Sequence, residues 1–144
     1  MMKRMIIALA SLGLTLAINA QERNVFKGYL YNNEYQVYLD IDFYQKNILV
    51  PNQEIFGQLP GYFGAKRDTR KWLITDVKIN NDSTARISII NDYGSEDLSA
   101  TLYKDKNGQY ILKQGEGSTI KIVVNRKWVK IPKTLILNKK AKQE

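Results

Sequence analysis

The sequence predicts an all-β protein, an antiparallel meander of about eight to ten strands in one domain. Apolar and polar residues alternate with period two over most of the chain after Val25, and turn residues separate the alternating segments at short intervals. No amphipathic segment longer than two helical turns follows Ala20. We expect a small closed or partly open barrel, because consecutive hairpins close an up-and-down sheet without long crossovers. The alternative is a two-layer β-sandwich.

The individual strands are predicted from their alternation, in chain order. The clearest segment runs from Tyr35 to Phe43, with apolar or aromatic residues at the odd positions. The later segments are 73–79, 85–89, 98–102, 110–112, 120–124, 127–131 and 134–137. Asn and Gly mark the turns between them, and Asn107-Gly108 predicts a type I′ hairpin. Pro132 divides the last two segments and favours an edge position for them.

Residues 1–20 have the pattern of a signal peptide. Lys3 and Arg4 precede an apolar run that ends in small residues before Gln21. The run is shorter than the about 20 residues of a membrane-spanning helix. We therefore expect cleavage near Ala20 and a periplasmic or secreted product with no membrane span. Residues 21–137 then form a single β domain, and residues 138–144 a basic, disordered tail.

The composition excludes much of enzyme chemistry. The chain contains no Cys and no His, so it offers no thiolate nucleophile, no imidazole base and no Cys/His zinc site. Asp40 and Asp42 lie two apart on a predicted strand, and their carboxylates share one face. That pair fits a calcium ion, the acid and base of a glycosidase, or ordinary pairing with Lys across the sheet, which is the commonest case. We predict a protein that is not an enzyme, with no catalytic residue, no metal and no cofactor.

Residues 58–71 form the longest break in the strand pattern, which predicts a long loop at the mouth of the barrel. The segment combines two aromatic residues, several glycines and four basic residues, and it ends at Trp72. Arg side chains offer forked donors to a carboxylate or phosphate. The alternative is that the aromatic residues only plug the barrel end. The predicted ligand-binding residues are Tyr62, Phe63, Lys66, Arg67, Arg70 and Trp72.

These observations favour an exported binding protein that takes a small hydrophobic or anionic ligand at the barrel mouth. The alternative is a protein-interaction module, such as an exported protease inhibitor or a surface-complex subunit, which uses an exposed loop or edge strand. The predicted inward-facing residues are large, which favours a filled barrel. The formal net charge is +8, but no nucleic-acid-binding motif is present, so we expect a small molecule or another exported protein as partner of a monomer.

The chain also resembles a group of known proteins in outline. Gln21 directly after Ala20, the length and the strand rhythm are similar to those of small exported β proteins of unknown role in Bacteroidota, many of them lipocalin-like. Lipocalins carry Gly-x-Trp on the first strand and an Arg near the last; this chain has Gly28-Tyr29 without that Trp, and Arg126 close to Trp128. Asp82-Ser83-Thr84 resembles the O-glycosylation acceptor of the same bacteria, with Ser83 as the modified residue.

Overall fold

The computed structural model describes residues 24–142. The predicted signal peptide, its cleavage position and residues 143–144 lie outside the described residues. Within them the chain forms twelve strands and one short 3-10 helix, Glu54–Phe56. The strands are β1 (Lys27–Asn32), β2 (Val37–Asp42), β3 (Ile48–Leu49), β4 (Gln58–Leu59), β5 (Gly61–Ala65), β6 (Asp68–Asn81), β7 (Thr84–Asn91), β8 (Asp97–Lys104), β9 (Tyr110–Gly117), β10 (Lys121–Val124), β11 (Lys127–Lys130) and β12 (Thr134–Lys140).

Eight strands close into an antiparallel barrel. Around the ring the order is β1, β2, β5, β6, β7, β8, β9 and β12, and β12 returns to pair with β1. The closing register places Tyr29 opposite Lys140 and Tyr31 opposite Asn138. The prediction of an all-β antiparallel meander is confirmed, and the barrel rather than the sandwich is formed.

Two hairpins are inserted into this ring. The wall hairpin, residues 48–59, contains β3 and β4 and connects β2 to β5. The cap hairpin, residues 121–130, contains β10 and β11 and lies between β9 and β12. The wall hairpin packs on the outside of the barrel, where Val50 forms a small cluster with Tyr62 and Leu73. The cap hairpin adds Ile122 to the main core and covers one end of the barrel.

Large apolar side chains fill the barrel, as the alternation predicts. Leu39, Phe63, Leu102 and Leu112 each have zero exposed surface. Their neighbours two positions along each strand face the same way, because successive residues of a strand point to opposite faces. At the end away from the cap hairpin, the ring of Phe26 stacks on another core ring with centroids 5.4 Å apart.

The expected long loop over residues 58–71 is wrong. The segment forms β4, β5 and the start of β6, with a tight turn at Lys66 and Arg67 between β5 and β6. Its glycines serve close packing within a strand. A Cβ atom at Gly61 would lie 2.5 Å from the carbonyl oxygen of Asp40, and one at Gly64 would lie 2.5 Å from the Tyr38 hydroxyl. Glycine in a strand therefore marks a close approach here instead of a break.

The hairpin turn predicted at Asn107-Gly108 joins β8 to β9, but it is not of type I′. Residues 105–109 form a longer connection, in which the Asp105 carboxylate accepts the N–H groups of Asn107 and Gln109. Gly108 alone of the two predicted turn residues has a positive φ, of 82°. A two-residue turn with positive φ at both positions lies at Asn125 and Arg126, with φ of 52° and 66°. Both central residues of a type I′ turn require positive φ, and this turn joins β10 to β11.

The C-terminal strand is longer than predicted. β12 continues to Lys140, so residues 138–140, which the sequence analysis assigned to the tail, pair with β1. Beyond it, Lys142 Nζ donates to Asp40 Oδ2 over 2.8 Å. Across residues 24–142, no helix has both the length and the apolar character that crossing a bilayer requires.

Candidate functional site

An open pocket of about 230 Å³ lies at the barrel end that the cap hairpin covers. We call it the rim pocket. Strand β6, the β7–β8 turn and the cap hairpin form its walls. Its basic residues are Arg70, Lys71 and Lys121, its aromatic residues are Trp72, Tyr93 and Trp128, and Asn91, Asp92, Ser95 and Glu96 come from the turn.

Strand β6 contributes one wall of the pocket. Asp68, Arg70 and Trp72 alternate along the strand on its barrel-facing side, and Trp72 belongs to the main core. From there Trp72 Nε1 donates to the Lys121 carbonyl over 3.2 Å. Asp68 Oδ2 accepts the Val123 N–H over 2.8 Å. These two hydrogen bonds hold strand β10 of the cap hairpin against β6.

Two aromatic rings at the pocket are exposed to solvent. Tyr93 is 79% exposed and Trp128 is 58% exposed. The guanidinium of Arg70 and the ammonium of Lys121 each lie 5.1 Å from the centre of the Trp128 ring, within the range of a cation–π contact. The Trp128 ring is thus held by two cations while a large part of its surface stays free.

The β7–β8 turn is stabilised by its own side chains. Asn91 Oδ1 accepts the N–H groups of Ser95 and Glu96 over 2.9 and 3.2 Å. Glu96 forms an ion pair with Lys121 at 3.2 Å and so links the turn to the cap hairpin. Asp92 Oδ2 accepts the Lys71 N–H over 3.0 Å. No group of three metal-ligating side chains was found at this turn or elsewhere in residues 24–142.

The charge of Lys71 is unfavourable in its surroundings. Burial lowers the pKa of its ammonium below the ordinary 10.5, although Asp92 and Asp68 oppose this change. Its Nζ atom donates to the Thr69 carbonyl over 2.8 Å. Burial in a medium of lower dielectric constant disfavours the charged form, and a nearby negative charge favours it. An anion in the pocket would therefore stabilise the protonated Lys71.

The structure brings two of the six predicted binding residues together. Arg70 and Trp72 line the rim pocket. Phe63 is buried inside the barrel, and Tyr62 is buried beneath the wall hairpin. Lys66 and Arg67 occupy the β5–β6 turn, where Lys66 Nζ lies 4.8 Å from the Tyr31 ring centre and Arg67 Nη2 donates to the Tyr35 carbonyl over 3.5 Å. A ligand-binding role stays a prediction for all six residues.

Sequence reasoning missed the residues that complete the pocket. Tyr93 was part of a predicted turn, and Lys71 was one of the basic residues before Trp72. Lys121 and Trp128 lie on the cap hairpin, about 50 positions further along. The one signal available was the excess of basic residues after position 120, which gives no position in space.

Asp40 and Asp42 are engaged in contacts of the ordinary kind. Asp40 is paired with Lys142 at 2.8 Å. Asp42 lies 3.9 Å from the Lys27 ammonium, and its other oxygen accepts the N–H groups of Tyr44 and Gln45. The expected pairing with Lys is confirmed for both residues.

The fold and the pocket define a closed eight-stranded barrel with a filled interior, a capped end and an open cleft beside the cap. Comparison with known proteins found no match to this chain among family models, curated proteins or solved structures.

Proposed function

We propose that the protein is a non-enzymatic binding protein whose ligand is a small carboxylate-bearing ring compound held in the rim pocket. The observation that carries this proposal is the convergence of three basic side chains and two exposed aromatic rings on one cleft. Acidic sugars and aromatic carboxylates share this chemistry, since both present a flat face and a carboxylate.

The aromatic rings support the ring-shaped part of the ligand. Tyr93 and Trp128 expose large parts of their side chains, and apolar surface removed from water by a stacked ring stabilises a complex by about 25 cal/mol per Å². Arg70 and Lys121 beside the Trp128 ring limit its movement. A ring held in place loses less conformational entropy when a ligand binds.

The basic residues support the carboxylate. Arg70 uses Nη1 for its contact with Asp68 and keeps further guanidinium donors for a ligand. Burial lowers the pKa of the Lys71 ammonium, and an anion beside it would oppose this effect by favouring the charged form. The pocket volume is below the about 300 Å³ at which drug-sized ligands begin, which favours a ligand of about one ring.

The filled barrel supports a site on the rim over one in a central cavity. Leu39, Phe63, Leu102 and Leu112 occupy the space in which a barrel carrier would hold an apolar ligand. Export, as residues 1–20 predict, makes the ligand an extracytoplasmic compound. Of the two carboxylates that line the pocket, Glu96 is in an ion pair with Lys121 and Asp92 accepts the Lys71 N–H, which supports binding over acid–base hydrolysis.

A titration with galacturonate, glucuronate, benzoate and the matching neutral compounds tests the proposal. The indole N–H signal of the exposed Trp128 is followed by NMR. We expect the carboxylates to shift the Trp128 signal in a saturable way, and Arg70→Ala to weaken their binding about tenfold, which corresponds to one charge-assisted hydrogen bond. The control Arg86→Ala, an exposed Arg on β7, should bind as the parent does.

Equal binding by the Arg70→Ala and Arg86→Ala variants would contradict the proposal. So would neutral sugars that bind as tightly as the acids, or the absence of binding by every compound in the panel.

A protein-interaction module is the second candidate function. It is favoured by the filled barrel and by an unpaired strand edge on the cap hairpin, which projects beside the rim pocket.

A further inference from the structure

The two edges of the cap hairpin differ in what they contact. The β10 edge lies against β6, where the Lys121 carbonyl accepts from Trp72 Nε1 and the Val123 N–H donates to Asp68. On the other side, β11 pairs with β10 alone among the strands of residues 24–142. The hairpin therefore has one occupied edge and one open edge.

The register of the hairpin identifies the open backbone groups. The Ile131 N–H donates to the Ile120 carbonyl, so this pair is a hydrogen-bonded one. Such pairs alternate with non-hydrogen-bonded pairs in an antiparallel ladder, which directs the N–H and C=O of Val129 toward β10. The N–H and C=O groups of Trp128 and Lys130 point away from β10. The alternation also explains why Lys121 and Val123 reach β6 from the opposite edge.

The open edge is strongly positive. Arg126, Lys127 and Lys130 are exposed and form no ion pair with another residue of the described chain. No acidic residue occurs between positions 117 and 143 of the sequence. Like charges on an edge strand oppose pairing with a second copy of the same edge, and they attract a strand of opposite charge.

We propose that β11 receives an extended acidic segment of another protein by strand addition. The segment would form backbone hydrogen bonds with Trp128 and Lys130, and its acidic side chains would lie beside Arg126, Lys127 and Lys130. This inference rests on the second candidate function and is independent of a ligand in the rim pocket.

Selection of a displayed library of short random peptides against the protein tests the inference. Two variants of Lys130 distinguish the contribution of backbone hydrogen bonds to peptide binding from the contribution of charge. Lys130→Pro removes the outward N–H and leaves the bonds between β10 and β11 intact, because Pro is tolerated where the N–H of an edge strand faces away from its partner. Lys130→Ala removes the charge and keeps the N–H.

We expect enrichment of acidic peptides that bind Lys130→Ala about threefold more weakly than the parent and Lys130→Pro more than tenfold more weakly. In the complex, hydrogen exchange of the Trp128 and Lys130 amides should slow, whereas the Val129 amide should be protected with and without peptide. Protection of the Ile122 amide in the Lys130→Pro variant verifies that its hairpin is folded.

Three results would overturn the inference: no enrichment, enriched peptides without acidic residues, or equal binding by the two variants. Arg70→Ala should leave peptide affinity unchanged, and Lys130→Pro should leave the carboxylate titration unchanged. Failure of strand addition is thereby separated from failure of the rim pocket.

Discussion

The wall hairpin and the cap hairpin leave the same barrel but are attached to it by different means. The wall hairpin is attached through Val50, which packs on Tyr62 and Leu73 outside the barrel, and its tip leaves Ile55 92% exposed. The cap hairpin contributes Ile122 to the main core and is also held by buried polar side chains.

Gln114 shows most clearly what the polar contacts add. Its Nε2 donates to the Ile131 and Pro132 carbonyls over 3.2 and 3.1 Å, and its Oε1 accepts the Ile120 N–H over 2.7 Å. One buried amide thus joins both ends of the cap hairpin to β9. Apolar contacts hold a segment without specifying its exact position, whereas directional hydrogen bonds also fix its orientation. The part of the rim pocket that the cap hairpin supplies is therefore held in a fixed position.

The largest loss of stability is expected when the apolar residue that anchors each hairpin is truncated. Ile122→Ala should lower the free energy of unfolding by about 2 to 5 kcal/mol, because a cavity remains in the main core. Val50→Ala in the wall hairpin removes fewer buried atoms and should cost about 1 to 3 kcal/mol. Urea unfolding followed by circular dichroism measures both. A smaller loss for Ile122→Ala than for Val50→Ala would show that the cap hairpin is not part of the main core.

The next largest loss of stability is expected when the hydrogen bonds of Gln114 to the ends of the cap hairpin are removed. Gln114→Leu leaves the Ile120 N–H and two carbonyl groups without their partner, so unfolding free energy should fall by about 1 to 3 kcal/mol. The matched control is Gln58→Leu on the wall hairpin, where the side chain is exposed and the change should stay within about 0.5 kcal/mol. Denaturant midpoints of the two variants provide the comparison, and equal midpoints would remove the proposed role of Gln114.

A smaller and more local effect is expected at Asp68. Asp68→Asn weakens the bond to the Val123 N–H and ends the ion pair with Arg70, which should cost about 1 kcal/mol. Opening of the cap hairpin should then become about fivefold more frequent, as reported by hydrogen exchange of the Val123 amide. Asp76→Asn, at an exposed position of the same strand, is the control. Unchanged exchange in the Asp68 variant would mean that the core alone positions the hairpin.

The last effect is absent at neutral pH and is a sensitivity of stability to alkaline pH on the side of the wall hairpin. Burial, with Tyr38 nearby, raises the pKa of Tyr29 to about 12 and also raises the pKa of Tyr62. Between pH 10 and 12 the unfolded chain loses these protons while the folded chain keeps them, so stability should fall as pH rises. Tyr110, whose pKa burial also raises, contributes to the same trend.

One variant assigns this pH dependence to Tyr62. Tyr62→Phe should make stability less dependent on pH in that interval. Thermal unfolding at a series of pH values measures the slope. If stability depends on pH in the Tyr62→Phe variant as it does in the parent, the alkaline sensitivity does not arise from Tyr62.

The sequence was sufficient for most strands of the barrel and for those of the cap hairpin, and insufficient for residues 58–71. Alternation identifies strands such as Tyr35–Phe43 because a half-buried strand needs one apolar face. It cannot distinguish a glycine that breaks a strand from one that lets a neighbour approach, and Gly61 and Gly64 are of the second kind. That distinction depends on Asp40 and Tyr38 of the neighbouring strand.

The candidate site was predictable only where its residues are close in sequence. Arg70 and Trp72 were identified because a basic and aromatic segment stood out. Tyr93 and Trp128 reach the same pocket because the β7–β8 turn and the cap hairpin lie at the same end of the barrel. The periodicity of a sequence identifies a strand such as β11, but it does not indicate which turn that strand lies beside.

Closure of the barrel by β1 and β12 also has a consequence for how the chain acquires its fold. The Asn32 side chain bonds the Ile136 carbonyl, 104 positions away, and β12 follows every other barrel strand in the sequence. Contacts between such distant residues form slowly, because a long stretch of chain must be ordered first. Until β12 is in place, β1 and β9 each present an unpaired edge that invites aggregation. Folding is therefore completed only when residues up to Lys140 have paired, and chains in which β12 is not yet in place are the species that need protection.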